Sequence, residues 1–331
     1  MAAGKHSGLN ERVLIADIFA PLAANTPGAL NLKDDAACLV PPAGKDLVIT
    51  TDVIVAGVHF FSHDPADTIA AKALRVNLSD LAAKGAEPLG YTLCLALSEE
   101  CTIEWVKGFA KGLQRDQLSY GISLFGGDTV KTPGPLSVSI TAFGTVEKGA
   151  MVERNGAQAG EIVYVSGTIG DGALGLDVAR GLHDGLSDEK KAFLLHRYRC
   201  PEPRCALAPA LVKFAGAAMD VSDGLIGDIG ALCAVSGVSA DIKLDHIPLS
   251  PAVHSLVDGD ENLLHRVLNG GDDYEVICTI AAGDASAFEA AAKQCNVPVS
   301  QIGAITTGMH CPQVFDSNGK LIKLQVARYE H

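Results

Sequence analysis

The residues of this chain best suited to chemistry are its aspartates, which recur in six short clusters. They are Lys33-Asp34-Asp35, Thr50-Thr51-Asp52, Asn77-Leu78-Ser79-Asp80, Gly126-Gly127-Asp128-Thr129, Asp220-Val221-Ser222-Asp223-Gly224 and Gly270-Gly271-Asp272-Asp273-Tyr274. Taken singly, each has an ordinary reading. Asp52 could end a strand in a solvated turn, Asp80 could meet a backbone donor, and Ser222 or Asp223 could simply cap a helix. Together they ask for a common cause. Two carboxylates about 4 Å apart repel by roughly 4 kcal/mol at an effective dielectric of about 20. Several converging acids therefore take up protons, strain the fold, or hold cations. Hard Mg²⁺ ions, bridged by phosphate oxygens, remove that repulsion. The pairs of glycines before Asp128 and Asp272 let backbone approach a ligand closely and aim N–H groups at it.

The elements that must position these acids can be read in order. Asn10 caps a first helix that runs to Phe19, and Pro21 stops it. A short strand, Ala36 to Val40, follows the Asp34-Asp35 pair, and Pro41-Pro42-Ala43-Gly44 turns it into Leu47–Val55 as a hairpin partner. That second strand is rich in β-branched residues and carries Thr50, Thr51 and Asp52 at its centre. Asp64-Pro65 starts a helix to about Lys84, with Val76, Asn77 and Asp80 on one stripe. Leu89–Leu97 is a strand, Thr102–Tyr120 a helix, Ile122–Phe125 a strand delivering Gly126-Gly127-Asp128, and Leu136–Val146 a further strand. This order fits an α+β domain, a mostly antiparallel sheet with helices on one face, spanning residues 1–149. The polar stretch near Gly149 marks the boundary to an α/β domain, residues 150–331.

In the second half, Gly170-Asp171-Gly172-Ala173-Leu174-Gly175 matches G-x-G-x-x-G. The acid that should follow on a second strand is missing: His183 to Lys191 is polar and opens another helix. The glycines are therefore read as serving close packing or a loop, not a nicotinamide dinucleotide. Ala217–Val221 hands Ser222-Asp223 to the N-terminus of a helix near Gly224, a place suited to phosphate. Strands near Val238–Leu244, Tyr274–Ile280, Val297–Ile302 and Leu321–Val326 complete this half.

Totals exclude several classes. The length of 331 residues allows about two domains, and 48% apolar content with 35 glycines fits α/β architecture. A formal charge of −13, with no Lys/Arg run longer than two, leaves no nucleic-acid footprint. An anionic ligand must therefore arrive with metal ions. Nine cysteines without a Cys-x-x-Cys pair indicate reduced thiols and a cytoplasmic setting. Asp17 breaks the only stretch resembling a signal sequence, and Leu89–Leu97 is too short to span a membrane. Walker-type, protein-kinase, zinc-hydrolase and nucleophile-elbow signatures are all missing.

The ordered series Asp34-Asp35, Thr50-Thr51-Asp52 with Gly57 to His59, Asn77 to Asp80, Gly126 to Thr129, Asp220 to Leu225 and Gly270 to Glu275 resembles the thiamine-monophosphate kinases. These belong to the aminoimidazole ribonucleotide synthetase-like superfamily. The resemblance covers nearly the whole chain. It implies the two-domain superfamily fold, a homodimer formed through the N-terminal domain, and ATP held by both domains. It also implies conversion of ATP and thiamine monophosphate to ADP and thiamine diphosphate, with several Mg²⁺ ions. Position by position, Asp35, Thr50, Thr51, Asp52, Asp80, Asp128 and Asp220 resemble metal ligands, with Asp223 shared between metal and substrate. Gly127, Asp128, Arg154 and Ser222 resemble contacts to ATP; His59, Asp272 and Tyr329 resemble contacts to substrate. Asp128, Arg154 and Asp223 are the implied catalytic group.

Three departures from the family pattern stand out, one being a tail that ends abruptly at Tyr329-Glu330-His331, close to the family's aromatic-acid-His ending. Lys33 replaces a usual glycine, and Asp272 a usual glutamate. Selenophosphate synthetase and the hydrogenase-maturation carbamoyl dehydratase are the neighbouring alternatives, but they need a reactive cysteine near the N-terminus or at the C-terminus. Here Cys38 lies after the Asp pair and the chain ends in His331. A non-catalytic nucleotide-binding relative is the alternative outside enzymes.

Overall fold

The computed structural model describes residues 10–322, which divide into two compact units. The first comprises residues up to Leu81 together with Glu87–Gly149; the second comprises Ala82–Ala86 and residues from Ala150 onward. The short Ala82–Ala86 segment joins the second unit because Lys84 is tied into it. Its Nζ donates to Ala218 O at 2.7 Å, and its carbonyl accepts from Val152 N at 3.2 Å.

The first unit is built on a four-stranded sheet, β1 (Lys45–Val55), β2 (Glu87–Leu97), β3 (Ser123–Lys131) and β4 (Ser137–Glu147), in the order β1-β4-β2-β3. β4 pairs antiparallel with β1 and β2, and β3 runs parallel to β2. Helices α2 (Ala66–Ala83) and α3 (Ile103–Tyr120) supply the buried layer. Thr102 caps α3 by accepting from Trp105 N, and Gly121, in the left-handed region at φ +65°, ends it. Alternation along β1 separates the sheet faces. Val48 and Ile54 are buried, whereas Leu47, Ile49 and Val53 are 36%, 59% and 51% exposed.

Two local expectations fail here. Residues 36–40 form no strand, and β1 takes its partner from β4 instead of a preceding hairpin arm. The first helix is also different in kind. After α1 (Glu11–Leu14), capped by the Asn10 side chain, the chain widens into a π turn at Ile15–Phe19 and then tightens into a 3₁₀ turn at Ala20–Ala23. Pro21 does not stop it, because proline is accepted in the first turn of the 3₁₀ segment.

The second unit holds a seven-stranded mixed sheet in the order β11-β10-β7-β9-β5-β8-β6. Its strands are β5 (Ile162–Ser166), β6 (Ala215–Asp220), β7 (Ser239–Lys243), β8 (Val276–Ile280), β9 (Val299–Thr306), β10 (Gln313–Phe315) and β11 (Leu321–Ile322). Most pairs are antiparallel, and β7 and β10 run parallel. Its helices are α4 (Asp171–Ala179), α5 (Asp188–Arg199), α6 (Ala208–Phe214), α7 (Leu225–Ser236), α8 (Pro251–Val257), α9 (Glu261–Asn269) and α10 (Ala285–Gln294). Both faces of this sheet are covered. Val163, Val165, Met219 and Ile277 enter one core with residues of α4, α7 and α9, while Tyr164, Ala218 and Cys278 enter another with α6 and α10.

The glycines at 170–175 serve packing, as their sequence context implied. A Cβ on Gly172 would lie 2.2 Å from Asp272 O, and one on Gly175 2.2 Å from Leu194 O. All nine cysteines are free. No helix among the described residues is long and apolar enough to cross a membrane.

Candidate active site

In the first unit, strand parity decides which side chains meet. Thr50 and Asp52 share the helix-covered face of β1 with Val48 and Ile54, and Asp80 comes from α2. Thr50 Oγ1 donates to Asp80 Oδ2 at 2.5 Å. Burial, and secondarily the Asp80 charge, push the Asp52 carboxyl up to about 6. Both causes disfavour the charged form of Asp52.

Thr51 points to the other face. Its hydroxyl donates to Ile140 O at 3.2 Å and accepts from Thr141 Oγ1 at 3.1 Å. The Thr51 hydroxyl thus lies on the face opposite Thr50 and Asp52, since the side chains of successive strand residues alternate.

Asp35 and Asp128 line one cavity of about 350 Å³, together with Asp34, Gly126, Gly127 and Thr129. Gly126-Gly127-Asp128 lies inside β3, not after it. Glycine is required at 127 because a Cβ there would fall 1.8 Å from Leu93 O across the β2–β3 pair. Asp128 is exposed, and its Oδ1 accepts from Thr129 N at 2.8 Å. Asp34 accepts from Asp35 N at 2.8 Å, and Leu30, Asn31 and Leu32 before this pair all lie in the left-handed region. Non-glycine residues persist there only when their surroundings hold them. Lys33 itself has φ −108°, open to any residue, so the lysine costs nothing at that turn.

His59 sits in the turn that follows β1. Its Nδ1 accepts from Val55 N at 3.0 Å, which places the ring proton on Nε2, and its carbonyl accepts from Lys72 Nζ at 2.9 Å.

In the second unit, Asp220 ends β6 and is 6% exposed. Ser222 and Asp223 form the loop before α7, and Asp228, in the first turn of α7, holds that loop. Its Oδ2 accepts from Ser222 N at 3.1 Å and Asp223 N at 3.0 Å. Burial, with a smaller contribution from Asp223, pushes the Asp228 carboxyl up to about 7, while the two N–H groups and the charge of Arg154 oppose the rise. Asp228 thus brings Ser222, Asp223 and Arg154 into one neighbourhood.

Sequence reasoning missed Asp228. The available signal was an acid one turn into a helix, where backbone N–H groups attract negative charge. The Asp272 loop lies against the same place: Asp272 N donates to Ser222 O at 3.0 Å, and a Cβ on Gly271 would lie 2.1 Å from that oxygen. Tyr329 lies outside the described residues.

Among the described residues no group of three or more His, Cys, Asp or Glu side chains forms a closed metal site. The oxygens come as smaller sets instead, Thr50, Asp52 and Asp80 in one and Asp35 with Asp128 in another. That inventory suits a hard cation bound by one or two carboxylates and completed by water and phosphate oxygens, as Mg²⁺ commonly is. The raised Asp52 carboxyl is the structural observation that favours such a cation, since cation binding would relieve its crowding with Asp80.

This fold and these oxygen-rich sets belong to a defined class: residues 33–146 match the N-terminal domain of AIR synthase related proteins, and residues 158–311 match the C-terminal domain. A thiamine-monophosphate kinase of Caulobacter vibrioides is 45% identical over 89% of this chain and 83% of its own length. The crystal structure of a thiamine-monophosphate kinase from Stenotrophomonas maltophilia superposes with a TM-score of 0.83 at 38% identity, covering 95% of this chain and 98% of that one. The chain belongs to the thiamine-monophosphate kinase family. A further solved relative, AaThiL complexed with AMPPCP and TMP, has a TM-score of 0.74 at 28% identity, covering 95% of this chain and 97% of that one.

Proposed function

We propose that this chain transfers the γ-phosphoryl group of ATP to thiamine monophosphate, in line and without a phosphoenzyme, with Mg²⁺ bound at the first unit's aspartates. The observation that carries this reading is the cavity holding Asp35 and Asp128 beside the bare backbone of Gly126-Gly127. A relative complexed with AMPPCP, a methylene-bridged ATP analogue, and with TMP supports the choice of substrates.

The acceptor is a phosphate monoester whose second pKa is about 6, so it is largely ionised at neutral pH and needs no general base. The obstacle is repulsion between two anions. Asp35, Thr50, Asp52, Asp80 and Asp128 would hold Mg²⁺, which supplies neutralisation and alignment of the phosphates when bound. Asp220 and Asp223 are proposed as further oxygen donors in the second unit, and Arg154 and Ser222 as contacts to the nucleotide phosphates. His59, Asp223 and Asp272 are proposed to orient thiamine monophosphate.

A coupled assay tests the reading. ADP release from ATP should appear only when thiamine monophosphate and Mg²⁺ are both present. Equal ADP release without the acceptor, or turnover with a different phosphate ester only, would overturn it.

We also propose that the chain acts as a homodimer in the cytoplasm. The exposed aliphatic row Leu47, Ile49 and Val53 on the uncovered face of β1 supports pairing with a second copy. Light scattering should give about twice the chain mass for the native protein. Ile49→Asp should shift it to the monomer, and a monomeric native protein would remove the proposal.

A further inference from the structure

Three carboxylates are buried near the start of α4, and they are satisfied in different ways. Asp171, Asp273 and Glu275 are each 1% exposed or less. Glu275 is the acceptor for two arginines, with Arg197 Nη2 at 2.8 Å and Arg204 Nε at 2.6 Å, and for Ser166 Oγ at 2.6 Å. Asp171 accepts from Thr168 Oγ1 at 2.5 Å and Ser250 Oγ at 2.6 Å, with Arg197 Nε at 3.6 Å.

Asp273 instead takes backbone amides. Gly170 N donates to Oδ2 at 2.7 Å and Gly172 N to Oδ1 at 2.9 Å. It thereby pins its own loop to the first turn of α4 with both oxygens.

The loop so pinned is strained on either side of Asp273. Asp272 has φ +72° and Tyr274 φ +52°, left-handed conformations that non-glycine residues adopt only under constraint. The constraints are visible. Asp272 N donates to Ser222 O and Tyr274 N to Val221 O at 2.8 Å, while Gly172 has no room for a Cβ against Asp272. Backbone bonds hold one side of the loop, and the Asp273 carboxylate holds the other.

We infer that Asp273 is a positioning residue for substrate binding: its grip on Gly170 and Gly172 keeps Asp272 in the left-handed conformation that presents its carboxylate to thiamine monophosphate. This rests on the reading of Asp272 as a substrate contact. A carboxylate that merely capped α4 would affect stability without distinguishing one substrate from the other.

Asp273→Asn tests the difference, because an amide nitrogen cannot accept from a glycine N–H. It should raise KM for thiamine monophosphate about tenfold and leave KM for ATP within about twofold. Asp272→Ala should raise the same KM by itself. In the Asp272→Ala background, Asp273→Asn should add less than about twofold, since it acts through the side chain already removed.

Equal rises in both KM values, or undiminished additivity in the double variant, would overturn the positioning role. An unchanged KM in Asp272→Ala would sink the substrate contact itself, which is a separate failure. If Asp273→Asn does not fold, amide hydrogen exchange of the native protein decides. Saturating thiamine monophosphate should slow exchange at Gly170 and Gly172 together with Asp272 and Tyr274. Protection confined to Asp272 and Tyr274 would overturn the role.

Discussion

Both units match deeply buried acids within the fold, Asp116 with Arg75 in the first and Glu275 with Arg197 and Arg204 in the second, but the first also sets acids on a cavity wall. In the second unit Glu275 is matched by two arginines, Asp171 by two hydroxyls, and Asp273 by two amides. In the first unit, Asp52 is pushed up by its burial and by Asp80, and Asp35 and Asp128 stand exposed on a cavity wall. The contrast extends to the sheets, since the second unit covers both faces and the first leaves aliphatic side chains on one. A charge already matched within the fold serves architecture. An acid exposed on a cavity wall is open to a ligand that brings positive charge with it.

The contrast can be broken at either end. Glu275→Gln should give the largest effect, because it removes the buried charge between the guanidinium groups of Arg197 and Arg204. Losing one partner of such a network costs about 3–5 kcal/mol, measurable by urea unfolding. A variant of native stability would mean that this acid is not architectural. Asp128→Asn should do the reverse, lowering turnover by about 10²–10³-fold, the range for loss of a group that stabilises transition-state charge. Its melting temperature should stay within about 2 °C, because exposed substitutions change stability little. An Asp128→Asn enzyme with an unchanged Mg²⁺-dependent rate would contradict the assignment of this cavity.

What the sequence made legible follows the same division. The acid clusters, the α2 and α3 helices, the Asn10 cap and the packing glycines at 170–175 were readable because each depends on local chemistry. Partners distant in sequence were not. Nothing near Leu47–Val55 says that its pairing strand begins at Ser137, so a nearer hairpin arm at residues 36–40 was assumed. Glu275 was visible as an acid, but not Arg197 and Arg204, which approach it from other elements. The side on which the Thr51 hydroxyl lies was legible as well, because the twofold period of a strand puts it on the face opposite Thr50 and Asp52.

The smallest expected effect is also the most direct probe of the acids at the centre of β1. The Asp52 carboxyl has its folded pKa raised to about 6, above the ordinary value near 3.8. Between those values the folded state binds more protons than the unfolded state, so this group's contribution to stability falls as pH rises through the window. Below it both states are protonated, and above it both are ionised. A divalent cation needs the ionised form and must displace the proton at acidic pH. Mg²⁺ should therefore raise the melting temperature more at pH 7 than at pH 5, by a few degrees at most. Asp52→Asn should flatten that difference, because the group that gains and loses the proton is gone. The measurement is a thermal melt with and without Mg²⁺ at both pH values, for both proteins. Equal Mg²⁺ shifts at pH 5 and pH 7 in the native protein would place the cation elsewhere than on the Asp52–Asp80 pair, and would remove the first unit's half of the contrast.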